Sequence, residues 1–354
     1  MIQDLRLQNF RSYKDAAFEF TEGVTIIVGP NASGKTNLLE AIQYICSGGS
    51  YRAKEAELVN FDSESARLEA NADGQRRIAL ITNQPPARPA KEFSINKTHL
   101  KRIGLSRQIP IVLFEPEHLR LLHAGPEHRR DFLDTVLSKT TTGYSTLLRN
   151  YRRVLAQRNA LLKSIQPSSQ NQVFAWNVRL SELGGMVAQR RMQLIDVFNE
   201  SMSDIYQSIA ASTQAARLSY KSACSAQNYS TSLLHRLEAH MALDMERGFT
   251  GDGPHRDDFD VLLNNHNATD TASRGEIRTL LLTLKVLEMR LVETVFDQKP
   301  ILLLDDVFSE LDGTRRKALT EFLKDHQTFI TTTDADVVVQ HFIGSATIIP
   351  TTSL

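Results

Sequence analysis

The amino-acid sequence predicts an α/β fold that carries an inserted α-helical lobe. Two patterns support this prediction: alternating or short apolar runs typical of strands lie at both ends of the chain, and the apolar spacing between them is helical. At 354 residues, with 41% hydrophobic and 23% charged residues, the chain can bury one or two cores. This composition excludes overall disorder.

Strands dominate the first hundred residues. The predicted strands are DLRLQNF, AAFEF, VTIIVG, ARLEAN, RRIALIT and IPIVLFEP. A helix is predicted directly after VTIIVG, because NLLEAIQYI places its apolar residues on one helical face.

The middle of the chain has a different pattern. From Glu127 to Thr213 the apolar residues recur at three- and four-residue spacing, which predicts helices. The polar segment QPSSQN divides this region. We therefore expect two long helices that form an antiparallel hairpin or a small bundle.

After Gly251 strands and helices alternate again. The predicted order is the strand DFDVLL, a helix from Ile277 to Val295, the strand ILLLDD, a helix from Arg315 to Lys324, and the strands TFITTTD and ATIIP. Such alternation indicates a mostly parallel sheet. We expect residues 1–125 and 250–354 to form one split domain, with residues 126–249 as the helical lobe.

Bulk composition limits the classes of function. The net charge is zero, which excludes a uniformly basic nucleic-acid coat. Cys46 and Cys224 form no CxxC pair, so neither a disulfide framework nor a cysteine zinc site is predicted. Because the sequence has no secretory signal and no apolar run of about 18 residues, we expect a soluble cytoplasmic protein without membrane contact.

The segment GPNASGKT fits the phosphate-loop pattern GxxxxGK[ST], and it lies after an apolar strand and before a helix. Gly29 and Gly34 allow the backbone to curl so that amide groups face a phosphate, and Lys35 reaches the β and γ oxygens, where it also assists catalysis. Thr36 offers its hydroxyl to Mg²⁺. The predicted ATP contacts are Gly29, Pro30, Asn31, Ala32, Ser33, Gly34, Lys35, Thr36 and Asn37. A glycine-rich turn that binds nothing does not account for Gly-Lys-Thr.

The strand ILLLDD delivers two carboxylates at its carboxyl end, where open α/β sheets bind their ligands. We expect Asp305 to hold Mg²⁺ and Asp306 to orient and deprotonate the attacking water. The alternative is that these residues only terminate the strand. Together with the phosphate loop, the pair predicts ATP hydrolysis.

Ser273, Arg274, Gly275 and Glu276 begin a helix upstream of the acidic strand. They resemble the signature motif of ABC-type ATPases, because a Ser hydroxyl and a Gly amide at a helix N-terminus can hold an anion. The alternative is a capping box, in which Ser273 and Glu276 satisfy the first helical amides.

Seven segments in order resemble the RecF family over essentially the whole chain. They are NFRSY, KTNLLEAI, FEPEHLRLL with PEHRRDFLD, GPHRDDF, the signature, LLLDDVFSELD and FITTTD. The resemblance implies an ABC-type ATPase head related to structural-maintenance-of-chromosomes proteins, with a short helical lobe. It also implies a weak DNA-stimulated ATPase of recombinational repair and replication that acts with RecO and RecR at gaps between single- and double-stranded DNA.

The resemblance further implies an ATP-dependent homodimer. Ser273 and Gly275, with Glu276, are expected to contact the γ-phosphate of ATP on the other copy, and the loop from Ser309 to Asp312 to signal across that interface. Thr333 is expected at the position where related ATPases carry a switch His, and a hydroxyl there implies slow turnover.

Two residues depart from the family pattern. Ala32 stands where such loops usually carry Gly, so the loop must avoid a positive φ there or accept strain. Glu276 stands where the family more often has Gln. Both departures leave ATP binding in place and bear on the rate of hydrolysis.

Basic residues suggest where DNA could bind. From His128 to Lys163 eight Lys or Arg residues face two acidic residues. The predicted phosphate contacts of double-stranded DNA on the basic run are Arg149, Arg152 and Arg153. The resemblance implies a nucleotide or DNA contact for Arg11 and Arg52. The alternative for the basic run is a solvated helix face. For His255, within GPHRDD, a structural or interface role is favoured over catalysis.

Three other functions stay open at this point. An ABC-type ATPase subunit could power a non-DNA partner, but such subunits normally carry a switch His. A nuclease-coupled ATPase needs a further acidic metal-binding domain. A clamp that binds ATP without hydrolysing it is the third.

Overall fold

The computed structural model describes residues 1–84, 88–164, 171–334, 338–340, 342 and 346–351. Two compact units divide the chain: the first joins Met1–His118 to Glu288–Leu354, and the second is Leu119–Leu287. No helix of the described residues is long and apolar enough to cross a membrane.

The elements follow in chain order. They are β1 (Ile2–Phe10), β2 (Tyr13–Glu19), β3 (Val24–Val28), α1 (Lys35–Ser47), α2 (Glu55–Leu58), β4 (Ser65–Ala72), β5 (Gln75–Thr82), β6 (Ala90–Ile95), β7 (Thr98–Leu100), β8 (Ile111–Phe114), α3 (Pro126–Thr140), α4 (Tyr144–Ser164), α5 (Asn171–Asn199), α6 (Met202–Ala210), β9 (Ala216–Lys221), α7 (Tyr229–Ala239), α8 (Met241–Arg247), β10 (Asp258–Leu263), β11 (His266–Asn267), α9 (Ala268–Thr271), α10 (Arg274–Phe296), β12 (Ile301–Asp305), α11 (Gly313–Leu323), β13 (Thr328–Thr332) and β14 (Ala346–Pro350).

A parallel sheet forms the base of the first unit. In the described part of the chain its strand order is β14-β3-β13-β12-β8, and every neighbouring pair is parallel. β3 and β12 read as continuous apolar runs because such sheets are covered on both faces. Since β13 lies between them, the carboxyl ends of β3 and β12 meet at one edge of the sheet.

An antiparallel sheet forms the other layer of this unit. Its order within the described ranges is β2-β1-β4-β5-β6-β7. The apolar face of α1, with Leu38, Ile42 and Ile45, shares one buried cluster with residues of both sheets. Burying each such side chain stabilises the fold by about 1.5–3 kcal/mol, so α1 is fixed where it follows the phosphate loop.

The predicted α/β class is confirmed, and the strands of this unit are divided between these two sheets. The predicted helix and strands of the chain ends are observed, with β6 and β7 as additions. β6 alternates buried and exposed residues, but it follows a proline-rich loop, of which residues 85–87 lie outside the described ones.

The second unit combines helices with a small sheet. α4 and α5 pack against each other and form the predicted helical pair. The predicted QPSSQN connection falls on residues 165–170, which lie outside the described ones, and α5 begins at Asn171. The second predicted helix divides into α5 and α6 around Glu200 and Ser201.

The unit boundaries differ from the predicted domain boundaries. We predicted a split domain of 1–125 with 250–354, whereas the contacts divide the chain after His118 and after Leu287. The physical reason is the partner of β10: this strand pairs with β9 and β11 in an antiparallel sheet of the second unit, rather than with the parallel strands.

A buried ion pair lies in the core of the second unit. The guanidinium of Arg158, which is 0% exposed, donates to Asp244 Oδ2 at 2.7 Å and to Asn177 Oδ1 at 2.7 Å. It also donates to Thr250 Oγ1 at 2.7 Å. Because each buried charge has its partners, α4, α5 and α8 are held in one arrangement.

The segment GPHRDD connects most elements of this unit. Asp257 accepts hydrogen bonds from the hydroxyls of Tyr220 at 2.8 Å, Ser222 at 2.7 Å and Tyr229 at 2.5 Å. Burial raises the pKa of the Asp257 carboxyl although three donors favour its charged form. Asp257 thus ties the turn to β9 and α7.

His255 is held in one tautomer. Its Nε2 lies 3.1 Å from the Thr250 carbonyl oxygen, which can only accept, so Nε2 carries the proton. Nδ1 then accepts from the Tyr151 hydroxyl at 2.6 Å. Burial lowers the pKa of His255 to about 4, so the ring is neutral at neutral pH. The contacts are those of a structural residue.

We expect His255 to make folding of this unit sensitive to acid. Its pKa is lowered on folding, so between its unfolded pKa of about 6.5 and about 4 the unfolded chain binds a proton that the folded chain does not. Stability should fall by about 2 kcal/mol as the pH decreases from 6.5 to 5. Urea unfolding of wild type and His255→Gln at both pH values measures this difference.

The control is His235→Gln, which changes an exposed histidine of α7. That variant should keep the wild-type pH dependence, whereas His255→Gln should lose the part of about 2 kcal/mol that His255 contributes. An equal pH dependence in all three proteins would contradict the assignment.

Candidate nucleotide-binding site

The phosphate loop connects β3 to α1. Gly34 caps the helix with a φ of 90°, a left-handed conformation that only glycine adopts readily. The Tyr13 hydroxyl donates to the Gly34 carbonyl oxygen at 3.1 Å. Ala32 has a φ of 64°. Of the two outcomes expected at this position, the loop therefore has the strained one.

Lys35 lies folded against the loop. Its Nζ donates to the carbonyl oxygens of Gly29 at 2.7 Å and Pro30 at 2.8 Å. Burial lowers the pKa of the ammonium, and the carboxylates of Asp305 and Asp306 oppose that shift. The positive charge of Lys35 is therefore held at the loop, close to Asp305 and Asp306.

Two hydroxyls meet the Asp305 carboxylate. Its Oδ1 accepts from Thr36 Oγ1 at 3.0 Å and from Thr331 Oγ1 at 2.6 Å. The Thr331 oxygen in turn accepts the backbone N–H of Asp306 at 3.0 Å. One hydroxyl thus fixes the side chain of the first aspartate and the backbone of the second.

Asp306 occupies a strained and partly buried position. Its φ is 51°, and within the described residues its Oδ1 is buried without a hydrogen-bond partner. Burial raises the pKa of this carboxyl, and the neighbouring Asp305 charge adds to the shift. An oxygen without a partner and with a raised pKa is suited to accept a proton.

The donors at this edge fit a magnesium ion. Mg²⁺ takes oxygen ligands and is typically held by one or two protein groups together with phosphates and water. Thr36 Oγ1 and Asp305 Oδ1 are such oxygens, 3.0 Å apart. No group of three or more His, Cys, Asp or Glu side chains in the described ranges could hold a metal by itself.

A cavity of about 400 Å³ lies over the loop. Its lining is formed by Asn31, Ala32, Ser33, Gly34, Lys35, Thr36, Asn37, Arg52, Pro116, Asp305 and Asp306. The structure thus brings together seven of the nine predicted loop contacts and both aspartates. It also places Arg52, predicted as a nucleotide or DNA contact, beside the phosphate loop.

Arg11 is paired with a helix residue. Its Nε and Nη2 donate to the two carboxylate oxygens of Glu40 at 2.8 and 3.0 Å. Glu40 lies on α1 and is 0% exposed, and Ser50 also donates to it, at 2.5 Å. Arg52 Nε lies 3.8 Å from the same carboxylate. The observed partner of Arg11 is therefore a carboxylate that orients α1.

Thr333 directly follows the last residue of β13 and is exposed. The neighbouring Thr332 hydroxyl donates to the Asp334 carbonyl oxygen at 2.9 Å, which turns the chain. Thr333 stays the predicted third element of the site, whereas the contact of Thr331 with both aspartates was not predicted. The only available signal was the run of threonines in TFITTTD.

In the second unit, the start of α10 forms the capping box. The backbone N–H and the hydroxyl of Ser273 both donate to Glu276 Oε2 at 2.8 Å. The backbone N–H of Glu276 donates to Ser273 Oγ at 3.3 Å, and Gln214 binds Glu276 Oε1 at 3.1 Å. Gly275 lies in the first turn of this helix.

The predicted DNA-binding arginines of α4 are exposed. Arg149 donates to the Thr146 hydroxyl at 3.1 Å. Arg152 is 61% exposed and lies 3.7 Å from Asp131 and 3.8 Å from Asp134. A cavity of about 400 Å³ beside Arg152 is lined by Arg130, Arg191, His255 and Arg256 and also by the acidic Glu127, Asp131 and Asp134. These contacts of Arg149 and Arg152 are weak enough to exchange for phosphate.

We expect Gly29→Ala to weaken ATP binding. A Cβ at Gly29 comes to within 2.2 Å of Thr351 Oγ1 and 2.5 Å of the Thr351 carbonyl oxygen, so the loop must shift. The affinity should fall by at least about tenfold. Calorimetric titration with ATP measures it.

Gly49→Ala is the matched control, because a Cβ there meets nothing within 4 Å. Wild-type affinity in Gly29→Ala would show that the close approach does not constrain the loop.

Comparisons with known proteins agree with this geometry. Residues 1–347 match the family model described as RecF/RecN/SMC N terminal domain. The DNA replication and repair protein RecF of Acetivibrio thermocellus is 34% identical over 353 residues, which cover 97% of this chain and 96% of that protein. RecF of Moorella thermoacetica is 34% identical over 348 residues, covering 97% and 92%.

Solved structures give the same relationship. The recombination mediator protein RecF-ATPrS in the RecFOR pathway is 32% identical, with a TM-score of 0.85, and the match covers 96% of this chain and 94% of that one. RecF-ATP in that pathway matches with a TM-score of 0.82 at 32% identity, over 94% and 92%. An Smc head domain from Pyrococcus furiosus, at 17% identity and a TM-score of 0.53 over 99% and 94%, shares the fold. By its phosphate loop, its acidic strand end and these relatives, the chain belongs to the RecF family of SMC-like ABC ATPases.

Proposed function

We propose that this protein is an ATP-dependent DNA-binding protein of recombinational repair and replication restart. It dimerises on ATP, binds double-stranded DNA near single-stranded gaps, and releases it after slow, DNA-stimulated hydrolysis. The observation that carries the proposal is the Thr331 hydroxyl, which sets Asp305 and Asp306 at the phosphate loop. A relative named as a DNA replication and repair protein and a solved relative described as RecF-ATP support DNA and ATP as the ligands.

In this proposal ATP lies in the cavity above the loop. The loop amides and the N-terminus of α1 stabilise the phosphate charge, and Lys35 exchanges its two carbonyl partners for phosphate oxygens. Thr36 and Asp305 would hold Mg²⁺, which neutralises the charge that develops on the phosphates. Gly29 and Pro30, also predicted as ATP contacts, are outside the cavity lining and supply the carbonyl partners of Lys35.

Asp306 acts as the general base. A water attacks the γ-phosphorus while the bond from that phosphorus to the β,γ-bridging oxygen breaks, and Asp306 Oδ1 accepts the proton of the water. The raised pKa of this carboxyl strengthens it as a base. Thr333, an exposed hydroxyl where a switch His is usual, accounts for slow turnover.

A second copy completes the site in this proposal. Ser273 is exposed at the start of α10, and the first-turn amide of Gly275 is suited to a γ-phosphate. The capping box leaves the Ser273 hydroxyl directed at Glu276, so the hydroxyl must turn toward phosphate when the copies meet. Glu276 and the loop from Ser309 to Asp312 then respond to the partner.

DNA binding is proposed for the exposed arginines of α4, with Arg52 close to the nucleotide. RecO and RecR are the proposed partners, because the solved relatives act in the RecFOR pathway. The proposed location is the cytoplasm, at the nucleoid. The alternative is an ABC-type ATPase subunit that powers a non-DNA partner, and DNA stimulation of hydrolysis distinguishes the two.

We expect Asp306→Asn to separate hydrolysis from assembly. Losing the base should slow phosphate release by about 100-fold or more, while ATP-dependent dimers persist in light scattering. Lys35→Met is the companion variant, and it should bind no ATP and remain a monomer. Unchanged phosphate release in Asp306→Asn would contradict the assignment of Asp306 as the general base. If the wild-type protein stays a monomer in the presence of ATP, the site shared between two copies is contradicted.

We expect DNA affinity to depend strongly on salt and on α4. Each phosphate contact contributes about 0.9 to the slope of log affinity against log salt, so reversing Arg149, Arg152 and Arg153 to Glu should reduce the slope by about 2–3. Fluorescence anisotropy with gapped duplex DNA and ATP measures both quantities.

The matched control reverses three other exposed basic residues of the same unit, Arg179, Arg190 and Lys221, for an equal change in charge. An equal loss in both variants would indicate a general charge effect and not a surface on α4. DNA binding that does not change with salt would contradict phosphate recognition.

A further inference from the structure

The last strand of the fold ends beside the phosphate loop. β14 pairs with β3 in parallel, and Pro350 lies opposite Val28. The next residue, Thr351, continues this pairing: its backbone N–H donates to the Val28 carbonyl oxygen at 2.7 Å. Thr351 is 8% exposed and lies next to Gly29.

The Thr351 side chain connects the strand to the loop. Its Oγ1 lies 3.1 Å from the Val28 carbonyl oxygen and 2.7 Å from Ser33 Oγ. A hydroxyl has one proton, and the carbonyl can only accept, so Thr351 donates to Val28 and accepts from Ser33. This sequence of donors fixes the rotamer of Ser33, which is 1% exposed.

Ser33 lies at the most constrained part of the loop. It stands between Ala32, with a φ of 64°, and Gly34, with a φ of 90°. The curl that turns the loop amides toward the cavity therefore passes through two left-handed residues, one of which is not glycine. Buried hydrogen bonding at Ser33 stabilises this curved backbone.

We infer that Thr351 is a positioning residue for the phosphate loop, and that it acts through Ser33 to hold the loop in the shape that binds nucleotide. The inference rests on ATP binding at this loop. Because coupling is reciprocal, ATP bound at the loop also stabilises the pairing of β14 with β3.

The test uses three substitutions, one within β14 and two at the residue that directly follows it. Thr351→Val keeps the shape of the side chain and removes the hydroxyl, and Thr351→Ser restores the hydroxyl. The matched control is Thr347→Val, which removes the hydrogen bond of 2.9 Å between Thr347 Oγ1 and Thr21 Oγ1 at the other end of β14.

Loss of one buried hydrogen bond should raise the Kd for ATP by about three- to tenfold in Thr351→Val. In both Thr351→Ser and Thr347→Val the Kd for ATP should lie within about twofold of the wild-type value. Melting temperatures of the two valine variants show whether the effect is specific, because a structural role alone lowers the melting temperature without changing the Kd.

A second measurement tests the reciprocal effect. ATP should slow hydrogen exchange of the amides of residues 346–349 and 351 in wild type, and less so in Thr351→Val. If wild type binds ATP but Thr351→Val binds it equally well, or if Thr347→Val is impaired to the same degree, the inference is overturned. If wild type binds no ATP at this loop, the proposed function itself fails.

Discussion

The hydrogen bonds of Thr331 organise the candidate site. β13 lies between the strand that leads into the phosphate loop and the strand that ends in the acidic pair, so its side chains are the ones that can reach both. The Thr331 hydroxyl donates a hydrogen bond to the Asp305 carboxylate and accepts one from the backbone N–H of Asp306. Because Asp305 also accepts from Thr36, one chain of hydrogen bonds runs from α1 across the sheet to the residue proposed as the base. A register shift of one residue between β12 and β13 would remove it.

Much of this arrangement could be predicted from the sequence. The loop pattern and the apolar strands on either side define local conformation, and parallel pairing then brings Gly29 and Asp305 to one edge of a sheet. The third strand was assigned correctly, but the choice among its threonines was not decidable. Which hydroxyl faces the acidic pair depends on the strand register, and three adjacent threonines give no side-chain pattern from which to read it.

Other features depend on contacts between distant parts of the chain. Thr351 lies 318 residues from Ser33, and nothing in ATIIPT marks it as part of a nucleotide site. The partner of Arg11 is likewise invisible in sequence, because Glu40 on a helix face reads as solvent-exposed until the fold buries it. β10 was predicted as a strand from its alternation, whereas its sheet was determined by β9, a strand in a region read as helical.

The position of Lys35 has a consequence for selectivity. Its ammonium already has two carbonyl partners within the loop, so any ligand competes with an internal one. A neutral molecule, such as a nucleoside, offers the ammonium less than it loses. A ligand with dense negative charge can replace both carbonyl partners of the ammonium, so this internal pairing favours phosphate-bearing ligands over uncharged ones.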